Sequence, residues 1–270
     1  MEATKILYIA QEITPYLPES EVANECRQLP QAIQEKGREI RTFMPKFGCV
    51  NERRNQLHEV IRLSGMNLII DDSDHPLIIK VASIQAARMQ VYFIDNDDFF
   101  QRKSTVSDDN GEFMDNEDRS IFFVRGVLET VKKLRWTPDI IHCHGWMTAL
   151  APLYVKKAFN TDPFFKNSKL VYSVYNDEFK NPFSNRFGEK LKIDGVENSD
   201  ISSILGKDVS FAELSKFAID YSDAVVQGSE IVDEEILKYA NSKGKLLLPY
   251  YSCEKGYEEV NSLYDQVLAK

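Results

Sequence analysis

The sequence has little of what staples a chain or carries it through a membrane. Its four cysteines, Cys26, Cys49, Cys143 and Cys253, are scattered and form no C-x-x-C pair. In a chain of 270 residues that pattern reads as reduced thiols of a cytoplasmic protein, not a disulfide framework. No run approaches the roughly 18 apolar residues of a membrane span. The opening "MEATKILYIA" has one lysine before a short apolar stretch and no small-residue cleavage site, which argues against a signal peptide. Positive charge is also short: 33 Lys and Arg against 42 Asp and Glu leave a net −9. Nucleic acid and anionic membrane are therefore not expected partners. What remains is 43% hydrophobic and 28% charged, the balance of a folded soluble protein with one large α/β domain or two small ones.

Strand-length and helix-length patterns alternate along the chain. "KILYIA" is a continuous apolar run suited to a central parallel strand. Pro15 and Pro18 keep the next segment out of helix, Ser20 is an N-cap candidate, and Val22, Ala23, Cys26, Leu29 and Ile33 form a helical stripe closed by Gly37, with a kink expected at Pro30. "EIRTFMP" completes a βαβ unit. Residues 48–88 read as a β-hairpin insertion, "MQVYFIDN" as a strand, and "STVSDDNGEFMDNED" as a loop. Ile121, Val124, Leu128 and Val131 mark a helix ending at the proline after Trp136. Then follow a strand "DIIHC", a helix "GWMTALAPLYVKKAF", a strand "KLVYSVYN" and a long polar stretch, 177–209. The helix "FAELSKFAIDYS", strand "DAVVQ", helix "SEIVDEEILKYANSKG" and strand "KLLLP" continue the alternation. The last helix carries Val260, Leu263, Tyr264 and Val267 on one face. The expected fold is α/β: a doubly wound, mainly parallel Rossmann-like sheet over residues 1–253, with residues 254–270 packing back on it as a C-terminal helix.

In open α/β sheets, ligands bind outside the carboxyl ends of the parallel strands. The first such end, "QEITPYLPESEV", has no glycine and carries Glu12, Glu19 and Glu21, a poor cradle for a phosphate. At the second, His142 and His144 fall on one face of a strand, but no third ligand stands nearby, so no metal and no other cofactor is expected. The plainer reading holds one histidine on a backbone carbonyl with Trp146 packed under the sheet rim. No G-x-S-x-G elbow supports Ser-His-Asp catalysis. The third end offers Tyr175, Asn176, Asp177 and Glu178, an acidic pair whose adjacent side chains diverge.

These segments, in this order, resemble the N-terminal domain of bacterial glycogen synthase and plant starch synthase. "KILYIAQEITPYLPESEVANECRQLPQAI" resembles that family's opening strand and its S-E-x-x-P-x-x-K-T-G-G-L-A-D-V turn. "VYFIDNDDFFQR" resembles V-Y-F-I-D-N-P-x-Y-F-x-R, and "DNEDRSIFFVRGVLE" resembles D-N-x-x-R-F-x-x-F-x-x-A-x-L-E. "PDIIHCHGWMTAL" resembles P-D-V-V-H-x-H-D-W-H-T-A-L, "LVYSVYN" resembles a strand ending T-I-H-N, and "DYSDAVVQGSE" resembles Y-A-D-x-V-T-T-V-S-P. The resemblance implies one half of a GT-B fold and an ADP-glucose-dependent glucosyltransferase ancestry. It also places departures. The family's donor-contacting lysine falls on Pro18 and its two glycines on Ser20 and Glu21; the aspartate and second histidine of H-D-W-H fall on Gly145 and Met147; the histidine of T-I-H-N falls on Tyr175.

The resemblance therefore implies degenerate catalytic positions, with Glu12, His144, Trp146, Tyr175 and Asn176 as the residues of a candidate ligand cleft. The family's second domain is not expected in this chain, whose final helix resembles the segment that crosses back onto the first domain. The leading expectation is a catalytically inactive relative acting as a carbohydrate-linked binding or regulatory module, with an α-glucan or malto-oligosaccharide, a full-length synthase or a second copy as partner. The alternatives are a glucosyltransferase that borrows a donor domain, and a dimerising protein whose cleft has become an interface.

Overall fold

The computed structural model describes residues 3–252 and 256–270; Cys253 and the expected 253/254 boundary lie outside the described residues. In chain order the elements are β1 (Lys5–Ala10), α1 (Glu21–Glu35), β2 (Glu39–Pro45), β3 (His58–Glu59), β4 (Met66–Ile70), β5 (Ser73–Ile84), β6 (Met89–Asp95), α2 (Asp97–Phe100), β7 (Ser107–Asp108), β8 (Gly111–Glu112), α3 (Asn116–Lys133), β9 (Ile140–His144), α4 (Ala151–Lys156), β10 (Lys169–Val174), α5 (Phe187–Lys190), α6 (Phe211–Tyr221), β11 (Ala224–Gln227), α7 (Glu234–Ser242), β12 (Leu246–Leu248) and α8 (Gly256–Leu268).

The main sheet runs β12-β11-β10-β9-β1-β2-β6-β5-β3, with β4 also pairing β5. From β12 to β6 every pairing is parallel, and β5 joins β6 antiparallel. The apolar run of β1 is central and buried because both its neighbours are parallel strands, which need helices on both faces. Ile6 and Tyr8 face one side, where Leu29 and Ile33 of α1 and Val260, Leu263, Tyr264 and Val267 of α8 cover them. Leu7 and Ile9 face the other, in one core with Ile121, Val124 and Leu128 of α3, Leu153 of α4 and Leu214 of α6. The sheet is doubly wound and Rossmann-like, and residues 58–84 supply the inserted hairpin at its edge.

Several boundaries differ from the sequence expectation. Helix α1 runs unbroken through Pro30. Residues 145–150 are not the start of a long helix: Trp146–Thr148 make a single 3-10 turn, and α4 begins only where Pro152 can occupy a first-turn position. Helix α7 starts at Glu234, not Ser229, because Asp233 caps it through the Glu235 N–H. Helix α3 stops at Lys133, before Pro138 is reached. The acidic loop holds the β7–β8 ribbon and the first turn of α3. The stretch 177–209 is polar only in composition, since Phe179, Phe183, Phe187, Leu191, Ile201 and Ile204 are buried in it.

Candidate functional site at the strand ends

Because β1, β9 and β10 lie side by side and parallel, their carboxyl ends bring Gln11 and Glu12, His144 to Met147, and Tyr175 to Asp177 to one rim. The period of two along β9 puts His142 and His144 on one face with ring centroids 3.9 Å apart. Both are fully buried. Hydroxyl groups hold them, not the backbone carbonyl expected from sequence. His142 Nδ1 lies 2.7 Å from the Tyr264 hydroxyl and Nε2 2.7 Å from that of Ser173, while His144 Nδ1 lies 2.7 Å from the Tyr175 hydroxyl. Burial holds the His144 imidazole down to about 3, and burial with the neighbouring ring pushes His142 well below its usual range. Both rings are neutral at pH 7 and offer no positive charge to a phosphate.

The turn after β9 is clamped from both sides. Gln11 Oε1 accepts from the Met147 N–H at 3.0 Å, and Asp177 Oδ2 accepts from the Trp146 N–H at 3.4 Å. Gly145 sits at φ +85°, ψ 160°, a region in which only glycine is comfortable, and a Cβ there would come within 2.9 Å of Gln11 Oε1. Its neighbour Trp146 is buried edge-on against Phe179 and Phe183, whose own rings stack 4.5 Å apart. Tyr175 is closed in as well: its ring lies where a Cβ on Gly228 would be, 2.5 Å from its Cε1. Asn176 is exposed, and its N–H donates to the Ser229 hydroxyl at 2.9 Å.

Charge at this rim is negative. Ser20 caps α1 by accepting from the Ala23 N–H at 2.9 Å, and its hydroxyl donates to Glu12 at 2.6 Å. Glu21, in the first turn of α1, accepts from the Ser229 hydroxyl. The positive end of a helix attracts anions; here the Ser20 hydroxyl caps it and the Glu21 carboxylate stands in its first turn. Pro18 is exposed and contributes no charge. Burial pushes the Asp177 carboxyl up to about 7, Glu12 and Glu178 add to the rise, and the Trp146 N–H opposes it. Among the described residues, no group of three or more His, Cys, Asp or Glu is placed to hold a metal, and no helix is long and apolar enough to cross a membrane.

The structure thus brings Glu12, His144, Trp146, Tyr175 and Asn176 to one rim, with the three middle residues buried. Sequence reasoning missed Gln11, Gly228, Ser229 and Tyr264. The first three stand at or just beyond strand ends, which is the one signal that could have found them. Tyr264 was legible only as part of an apolar face.

The family model for the starch synthase catalytic domain matches residues 5–248. A glycogen synthase of Pelodictyon phaeoclathratiforme is 32% identical over 235 residues, 86% of this chain and 47% of that protein. One from Chlorobium limicola is 38% identical over 174 residues, 64% of this chain and 36% of that protein. The chain therefore spans less than half the length of these relatives. The catalytic domain of starch synthase IV from Arabidopsis thaliana, solved bound to ADP and acarbose, superposes with a TM-score of 0.75 at 20% identity, covering 93% of this chain and 52% of that one. That likeness shows the shared fold.

Proposed function

The chain belongs to the starch synthase catalytic domain family, and from that premise we propose that it does not by itself transfer glucose and serves as a carbohydrate-linked binding or regulatory module. The observation that carries this reading is the charge at the rim. Glucosyl transfer from a sugar nucleotide needs cationic or dipolar groups aimed at the departing diphosphate. Glu12 stands at the end of β1 and Glu21 in the first turn of α1, whose N-terminus the Ser20 hydroxyl caps. At an effective dielectric of about 20, a carboxylate about 4 Å from a phosphate oxygen costs on the order of 4 kcal/mol. That is enough to remove useful affinity for a nucleoside diphosphate.

A neutral sugar meets no such penalty. A cavity of about 280 Å³ opens beside Phe179 and Phe183, with Glu112, Asn181, Ser184 and Asp208 in its wall. Half-buried Phe113 and exposed Met114 in the same wall give apolar surface for the C–H face of a pyranose, and carboxylates and amides suit its hydroxyls. Calorimetric titration with maltoheptaose and with ADP tests the reading. Binding of maltoheptaose that is weakened by Asn181→Ala and Asp208→Ala, with no heat from ADP, is the expected result. Tight ADP binding contradicts it. Glucose transfer that appears only after adding a separate donor domain would replace it with a partner-dependent glucosyltransferase.

A further inference from the structure

A second, larger cleft lies at the edge of the sheet that carries the inserted hairpin. Its volume is about 600 Å³, within the range of small-molecule sites. None of Glu12, His144, Trp146 or Tyr175 lines it. Its wall holds Arg54 and His58 and no carboxylate, in a protein of net charge −9. Among the described residues neither the Arg54 guanidinium nor the His58 ring makes an ion pair or hydrogen bond. Amides and a hydroxyl from Asn55, Gln90 and Ser83 add neutral donors and acceptors. Pro15 and Tyr16 give an apolar side. Tyr16 is buried, its ring is edge-on to Phe93 at 4.8 Å, and its hydroxyl has no protein partner among the described residues. Burial pushes that hydroxyl up to about 12, and the nearby Arg27 opposes the rise.

We infer that this cleft binds a small polyhydroxylated anion of the sugar-phosphate class. The guanidinium is the one fixed positive charge in the wall and matches a phosphate's paired oxygens. The amides and the serine hydroxyl match sugar hydroxyls, and the ring of Tyr16 with Pro15 matches the apolar sugar face. An acidic small molecule is repelled by most of this protein's surface but not by a wall without carboxylates, so the charge pattern selects for this cleft.

The test is an NMR titration of the full chain with glucose 1-phosphate, alongside methyl glucoside and inorganic phosphate. Saturable shifts confined to residues 54–58, 81–86 and 90 are expected with glucose 1-phosphate, and weaker ones with either control. Arg54→Gln should weaken binding about tenfold, as loss of a charge-assisted pair does. Gln90→Ala, at an exposed position, should weaken it less while leaving the fold intact. The inference is overturned by an absence of shifts at about 10 mM ester, a concentration that saturates a site with millimolar Kd. It is also overturned by unchanged affinity in Arg54→Gln, or by inorganic phosphate binding as tightly as the ester.

Discussion

The rim at β1, β9 and β10 and the cleft beside β5 are opposites. At the rim most polar groups are spent on neighbours: the Ser20 hydroxyl on Glu12, the Ser229 hydroxyl on Glu21, the acceptor oxygens of Gln11 and Asp177 on the turn after β9, and the Tyr175 hydroxyl on His144. Its ionisable groups at the surface are acidic, and its aromatic rings are covered. At the cleft the ionisable groups are Arg54 and His58, whose side chains have no ion pair or hydrogen bond among the described residues. A doubly wound sheet usually places its ligand at the first kind of location. In this protein most polar groups at that location are paired with neighbours, His144 Nε2 and Asp177 Oδ1 excepted, and the Arg54 and His58 side chains, unpaired among the described residues, stand at the insertion. The contrast teaches that site geometry, not fold position, decides where a ligand can be held.

The closed rim breaks most severely where it is tightest. Gly145→Asp would restore the acid that the family resemblance places there, but it forces an L residue into a glycine-only conformation against Gln11. A loss of more than about 3 kcal/mol in urea unfolding is expected. Acid is the next largest perturbation. The folded pKa values of His142 and His144 are depressed, so the unfolded chain binds protons that the native state refuses, and stability falls as pH drops below about 6.5. Asp177 has a raised folded pKa and works in the opposite sense over about pH 4 to 7. From pH 6.5 to 5 two histidines oppose the single Asp177, so a net loss of stability is expected. Asp177→Asn should steepen the decline, which unfolding curves at several pH values would show.

A smaller break comes from Tyr264→Phe, which leaves His142 Nδ1 and the Tyr8 hydroxyl short of a partner. About 1–2 kcal/mol should be lost in chemical denaturation. The cleft supplies the opposite limit: Gln90→Ala should move stability by less than about 0.5 kcal/mol, because its side chain is exposed.

The order of strands and helices was readable in the sequence because buried parallel strands are continuous apolar runs and α1 announces itself with a capping serine. Ser20 does cap it, through the Ala23 N–H. The turn after His144 was not readable, since "GWMTALAP" carries apolar residues at helical spacing, while Gly145 and Pro152 divide it into a 3-10 turn and a separate helix. At the rim, strand-end logic found Glu12, His144 and Tyr175. It could not find what holds the histidines, because Tyr264 is 122 residues from His142 and Ser173 is 31. The cleft gathers groups from residues 15 to 90 with no shared spacing, so no motif marks it.

The most direct measurement of the central claim is transfer of labelled glucose from ADP-glucose to glycogen by the purified chain alone. An acidic rim whose donors are already engaged predicts incorporation no greater than in the absence of protein. Sustained incorporation that scales with protein concentration would contradict it.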